Sequence, residues 1–208
     1  MTVLAILIAL VFAATFAAGR VGAGYYWDFG NALGFLALAG LLFQMLPCRR
    51  SGTARRHETL GYWVLGMAIA HALWFLAGDA TVRVYLQPGA PLYMWAGLIG
   101  ILALAALCGI ARMPDRMRVH RRYGSFRMTH RGLGFAVVIA ALLHVMLSGF
   151  YLATWPQWAA LVLIALCACF GRRYWARLPG PPSASSMVYL ICGGVAVLFF
   201  VLLRNGGA

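Results

Sequence analysis

Seven apolar runs, each close to the roughly 20 residues that a helix needs to cross the hydrocarbon of a bilayer, take up nearly the whole chain. They lie near 2–18, 30–47, 57–77, 93–111, 130–153, 155–171 and 187–204, with short connections rich in Arg, Gly and Pro. The 208 residues are 63% apolar and 10% charged, against about half apolar in an ordinary soluble domain. The expected fold is therefore all-α, a polytopic integral membrane helical bundle. Nothing is left over for a separate soluble catalytic domain, and no linker, repeat array or low-complexity tract is read in the sequence. The first run ends in Phe16, Ala17, Ala18 and Gly19, which suits a cleaved leader, but no positive segment precedes it, so a retained first span is expected.

The net charge of +13 comes from 17 arginines and no lysine. Arg49, Arg50, Arg55 and Arg56 lie between the second and third spans. Arg112, Arg116, Arg118, Arg121, Arg122, Arg127 and Arg131 lie around the fourth-to-fifth connection, and Arg172, Arg173 and Arg177 follow the sixth span. Only Arg20, Arg83 and Arg204 fall on the other side. The positive-inside rule sets the rich loops in the cytoplasm, the N-terminus inside and the C-terminus outside. Seven alternating spans give the same answer. This basic charge reads as topology and contact with lipid headgroups; no nucleic-acid partner is expected.

Four of the five histidines form two pairs of identical spacing, His57 with His71 and His130 with His144. Fourteen residues of helix rise about 21 Å and return to within roughly 40° of the starting face, so each helix carries two imidazoles on one side at two depths. His57 and His130 open their spans at the cytoplasmic side, and His71 and His144 lie deeper. Across the helices the pairs are thus His57 with His130 and His71 with His144. Ionisable side chains within a span are costly and usually face a protein-lined site. Taken singly, each histidine could be a helix-to-helix hydrogen-bonding or interfacial residue. Two equal spacings on two helices point instead to two stacked, bis-histidine haems, with His57 and His130 on the inner iron and His71 and His144 on the outer. His120 has no such partner and reads as a loop residue.

Zinc would need three or four ligands converging on one point, which the rise within each pair forbids. Cys48, Cys108, Cys167, Cys169 and Cys192 form neither C-x-x-C nor C-x-x-C-H and read as small packing residues, so the haem is expected to be b-type and non-covalent. Haem propionates call for cationic partners, and Arg56, Arg127 and Arg131 are the nearest candidates at the inner site. Phe135 reads as a packing aromatic in preference to one lying between the haems.

The segments His57-Glu58-Thr59-Leu60-Gly61-Tyr62 to Ala70-His71-Ala72-Leu73, and Met128-Thr129-His130-Arg131-Gly132-Leu133-Gly134 to Leu142-Leu143-His144-Val145-Met146, resemble the ferric reductase-like transmembrane domain. That superfamily includes ferric-chelate reductases, NADPH oxidases and the haem-binding subunit serving periplasmic methionine sulfoxide reductase. The resemblance implies a six-helix haem-binding core over 1–171, ligands on the third and fifth spans, and electron flow from a cytosolic flavin through the inner and then the outer haem. Residues 172–208 would add a basic loop, a Pro/Ser-rich turn from Pro179 to Ser186, and a seventh helix that a six-span core does not explain.

Members of the superfamily that act as reductases or oxidases carry a flavin and nicotinamide domain, whereas this sequence runs four residues past its last span without a G-x-G-x-x-G fingerprint. The donor is expected to be a separate cytosolic flavin/NAD(P)H reductase or membrane quinol. The Arg-rich loops could receive an acidic flavoprotein. At the outer side, the connection from Gly78 to Tyr93, with Arg83, Tyr85 and Gln87, is where a ferric chelate or a periplasmic acceptor protein would meet the outer haem. The leading function is a dihaem cytochrome of the bacterial inner membrane that passes electrons outward. A quinol-linked dihaem cytochrome b and a non-catalytic haem-holding scaffold or sensor are the alternatives; the Pro-Glu-Trp-Tyr segment of a quinol site is absent from the sequence.

Overall fold

The computed structural model describes residues 2–16, 24–47, 51–78, 87–113, 123–175, 177 and 184–206, and among these it is helical with no strand. The helices are α1 (Thr2–Ala14), α2 (Tyr25–Gln44), α3 (Ser51–Gly78), α4 (Leu92–Arg112), α5 (Tyr123–Ser148), α6 (Trp155–Phe170), the single turn α7 (Arg172–Trp175) and α8 (Ser186–Asn205). The seven apolar runs are thus seven helices in the expected order. Five of them, α2, α3, α4, α5 and α8, are long and apolar enough to cross a membrane. Helices α1 and α6 are apolar but have only 13 and 16 residues.

Several ends differ from the sequence reading, each for a local reason. Helix α2 starts at Tyr25, five residues early, and takes in Asp28, which is fully buried. A buried carboxylate needs a partner, and Arg204 of α8 supplies it, with Nε 2.9 Å from Oδ1. Helices α3 and α5 begin at Ser51 and Tyr123, well before His57 and His130. With 28 and 26 residues they run to about 40 Å, longer than the ~30 Å hydrocarbon, so their Arg-bearing first turns extend into the headgroup layer. Helix α5 stops at Ser148 because Gly149 takes φ 68°, a left-handed conformation that ends a helix and suits glycine. The chain then restarts at a capping box: Thr154 and Gln157 satisfy each other's backbone N–H groups around Pro156. The Gln157 amide also donates to the Phe16 carbonyl, tying α6 to the end of α1 (3.0 Å).

Helix α2 is the hub. It packs against α1, α3 and α8 and also touches α5 and α6. Apolar side chains gain little by leaving lipid for one another, so close backbone approach is what holds such helices. Small residues allow it. A Cβ on Gly40 would fall 2.6 Å from Val64 of α3 and 2.9 Å from the Tyr189 ring of α8, and one on Gly193 of α8 would fall 2.6 Å from Leu36. Tyr189, buried in the same seam, donates its hydroxyl to the Leu36 carbonyl (3.0 Å).

The seventh helix is therefore clamped to α2 at both levels, and its far end carries a polar knot. Asp28 accepts from Arg204, from the Tyr151 hydroxyl (2.8 Å) and from the Asn205 amide (2.8 Å), while Asn31 donates to the Tyr151 oxygen (3.2 Å). The Arg204 guanidinium also lies over the Tyr151 ring, 4.8 Å from its centroid. Burial, reinforced by the Asp28 carboxylate, raises the Tyr151 phenol above its ordinary range and keeps it a neutral donor. Arg204, which the topology count treats as a loop charge, is thus a core residue. Beyond this knot α8 turns Ile191, Val195, Leu198, Phe199 and Leu202 outward, as a lipid-facing helix would.

Arg204→Ala would leave Asp28 buried without its counter-charge, and is expected to cost about 3–5 kcal/mol, read as a lower melting temperature in detergent. The Asp28→Leu, Arg204→Leu double variant removes both charges and should sit closer to the parent than Arg204→Ala does.

Candidate functional site: two histidine pairs across a helix slot

Helices α3 and α5 hold the four histidines, yet among the described residues they do not pack closely on each other. Helix α3 leans on α2 and α4, and α5 on α4, so a slot runs between the two histidine helices. Across it the imidazoles meet at two levels. The ring centroids of His57 and His130 are 6.3 Å apart, and those of His71 and His144 are 6.0 Å apart. The cross-helix pairing inferred from depth is the one that the helices adopt. No group of three or more His, Cys, Asp and Glu able to share one ion occurs among the described residues.

The two histidine helices share a sequence pattern. His57, Gly61, Val64, Ala68 and His71 on α3 are matched by His130, Gly134, Val137, Ala141 and His144 on α5, each position 73 residues on. The common sequence is H-x3-G-x2-V-x3-A-x2-H. Spacings of four, three, four and three keep all five positions on one helix face. Between the two histidine levels this stripe carries only Gly, Val and Ala, and Val64 within it is buried against Gly40 of α2. A search for self-similarity at a separation of 73 finds this repeat in the sequence; attention to histidine spacing alone misses the small residues.

The duplication extends to the partner helices. At the level away from the Arg-rich ends, Nδ1 of His71 lies 2.8 Å from the Gly30 carbonyl of α2, and Nδ1 of His144 lies 2.7 Å from the Tyr93 carbonyl of α4. A carbonyl only accepts, so Nδ1 carries the proton in both rings and the Nε2 lone pair is left for a ligand-binding role. Each contact depends on a glycine one turn further along. A Cβ on Gly34 would lie 3.0 Å from Nδ1 of His71, and one on Gly97 would lie 2.7 Å from Nδ1 of His144. The site is thus two copies of one device, the hairpins α2–α3 and α4–α5, facing across the slot. Neither glycine shows itself in the sequence, because its role exists only once another helix is packed on it.

The other level is built differently. Nδ1 of His130 is buried with no hydrogen-bond partner among the described residues, and its ring lies 5.6 Å from that of Phe126. The Gln44 amide of α2 donates to the backbone carbonyl of His57 (2.8 Å). Arg56, Arg127 and Arg131 are exposed at this end of the slot. Phe135 points away from the space between the levels and stacks on Phe170 of α6, with centroids 5.5 Å apart. His120, Cys48, Arg83 and Tyr85 lie outside the described residues, as does most of the Gly78-to-Tyr93 connection.

An imidazole nitrogen binds a first-row metal at about 2 Å, and centroid separations of 6.3 and 6.0 Å leave each pair the room to hold one ion between its rings. The donor set of two neutral imidazoles per level fits haem iron.

The sequence profile of the family described as ferric reductase like transmembrane component matches residues 31–141. The match takes in His57, His71, His130 and the glycines Gly34 and Gly97, and it ends three residues before His144. No curated protein and no solved structure is matched by the chain. The apolar helices, the slot they enclose and a match over more than half its length make the chain an integral membrane protein of the ferric reductase-like transmembrane component family.

Proposed function

We propose that the protein is a dihaem b-type membrane cytochrome that carries electrons from a cytosolic flavoprotein to an acceptor outside the cytoplasm. The observation that carries this reading is the repeated pair of facing imidazoles, at 6.3 and 6.0 Å between centroids, on two helices of a ferric reductase-like component. His57 and His130 would hold the inner haem, His71 and His144 the outer. Haem iron, when bound, supplies one-electron redox chemistry. The chain's own residues would supply the rest: four imidazoles to hold the two groups, so favouring electron transfer over oxygen binding, and a fixed spacing between them.

Fourteen residues of helix separate the two levels by about 21 Å along each ligand helix, a large part of the ~30 Å hydrocarbon. Two stations so placed span most of the barrier without any movement of the protein. The concentration of arginines at the His57 and His130 end supports a cytoplasmic placement of that end and an outward position for the C-terminus, in the inner membrane of a bacterial cell. Arg56, Arg127 and Arg131 stand exposed there, as partners for inner-haem propionates and as a landing surface for an acidic, flavin-bearing reductase. The acceptor at the other face is a ferric chelate or a partner reductase.

Purified in detergent, the full chain is expected to carry two b-type haems, counted by haem-to-protein ratio and a reduced-minus-oxidised spectrum. Reduction by NAD(P)H through a flavin reductase, and not by quinol, is the expected donor specificity; quinol alone sufficing would turn the reading to a quinol-linked cytochrome, and a haem-free protein would end it. His71→Ala or His144→Ala should remove one haem and leave the other reducible, with His57→Ala or His130→Ala removing the other; loss of both haems from every variant would contradict two separate sites. A reporter that is active only outside the cytoplasm, fused after Ala208, should be active, and an inactive fusion would reverse the topology.

A further inference from the structure

The two levels of the slot differ in how their imidazoles are held, and the difference lies in glycines rather than in histidines. At the outer level both Nδ1 atoms meet a helix carbonyl, 2.8 Å away for His71 and 2.7 Å for His144. At the inner level Nδ1 of His130 is buried and meets none among the described residues. Those outer carbonyls belong to Gly30 and Tyr93, and the residue one helical turn beyond each is Gly34 or Gly97. A Cβ at Gly97 would displace the His144 ring, and one at Gly34 would press on the His71 ring at 3.0 Å.

We infer that Gly34 and Gly97 are positioning residues for the outer pair: they admit the His71 and His144 rings to the Gly30 and Tyr93 carbonyls and thereby set the redox potential of that site apart from the inner one. The inference deepens the haem reading above and rests on it. An imidazole that donates Nδ1–H to a carbonyl is a more basic ligand at Nε2. A more basic axial ligand stabilises the ferric over the ferrous state and lowers the reduction potential, and hydrogen bonding around the ligands is one of the few means a protein has of tuning it. The same bonds fix which nitrogen faces the slot and how far each ring can rotate. The outer pair is therefore a locked, strongly donating pair, and His130 belongs to a looser one.

The test is a redox titration of the purified full chain, followed optically and by the low-spin ferric EPR signal, comparing the parent with Gly34→Ala, Gly97→Ala and the control Gly66→Ala. Gly66 has nothing within 4 Å of the position its Cβ would take. The outer wave is identified as the one missing in His144→Ala. Gly34→Ala and Gly97→Ala should each shift that wave to higher potential and alter its EPR signal, with the inner wave and the control unchanged. The milder crowding at Gly34, 3.0 Å against 2.7 Å, makes Gly34→Ala the deciding variant should Gly97→Ala release the outer haem. Unaltered outer potential and EPR signal in Gly34→Ala, or equal shifts of both waves, would overturn the inference while leaving the cytochrome intact. A parent protein without haem would overturn the reading beneath it.

Discussion

An imidazole within a membrane has two ring nitrogens and no water to satisfy them, and most of this structure follows from how that need is met. A buried polar group without a partner costs a few kcal/mol, so four such rings on two helices demand either partners or a function. At one level the partner of each Nδ1 is a backbone carbonyl, that of Gly30 for His71 and that of Tyr93 for His144. A helix carbonyl is already engaged by its own helix and lies behind a shell of side chains. Reaching it requires that the shell be missing, and at Gly34 and Gly97 it is. The positions of α2 and α4 against α3 and α5 are thus set by the histidines as much as by packing. What then remains unspent on each ring is Nε2, turned to the slot.

The same constraint explains why α2 is the hub and why the architecture is doubled. Two hairpins that each bind their own histidine to their own partner helix are self-sufficient units, α2–α3 and α4–α5, and setting them face to face leaves a slot in place of a helix contact. The small stripe of Gly61, Val64 and Ala68 on α3 is matched by Gly134, Val137 and Ala141 on α5. Helix α2 has a second task, because its other faces carry α1 and α8. Glycines serve on both sides: Gly34 admits His71, and Gly40 admits Val64 and Tyr189. Substituting leucines along α2 would make it more apolar and at the same time would push its neighbours apart.

Much of this was legible in the sequence, and the parts that were not share a cause. Span number and order could be read because apolar length is a local property, and the cross-helix pairing of histidines could be read because their spacing and the arginine asymmetry fix face and depth. The helix ends at Tyr25 and Ser148 could not. One depends on Arg204, 176 residues away from Asp28 in the chain, and the other on the backbone conformation of Gly149. Arg204 itself looks like any flanking basic residue until Asp28 is packed beneath it. Gly34 and Gly97 are two among 24 glycines, and nothing in their neighbourhoods marks them. Only a repeat search would have found the stripe that α3 and α5 hold in common, since it consists of residue types too ordinary to attract notice.

Helix α8 lies against α1, α2 and α3. Apolar burial gives such a helix little reason to stay, because lipid offers its Leu, Val and Phe side chains an equally good environment. What lipid cannot offer is a partner for Asp28. The knot of Asp28, Arg204, Asn205 and Tyr151 is therefore the directional part of the docking, and the Gly193 and Tyr189 contacts fix the register along the seam. Asp28 lies two residues from Gly30, whose carbonyl receives His71, so the polar knot that holds α8 and the carbonyl that holds one imidazole belong to the same turn of α2.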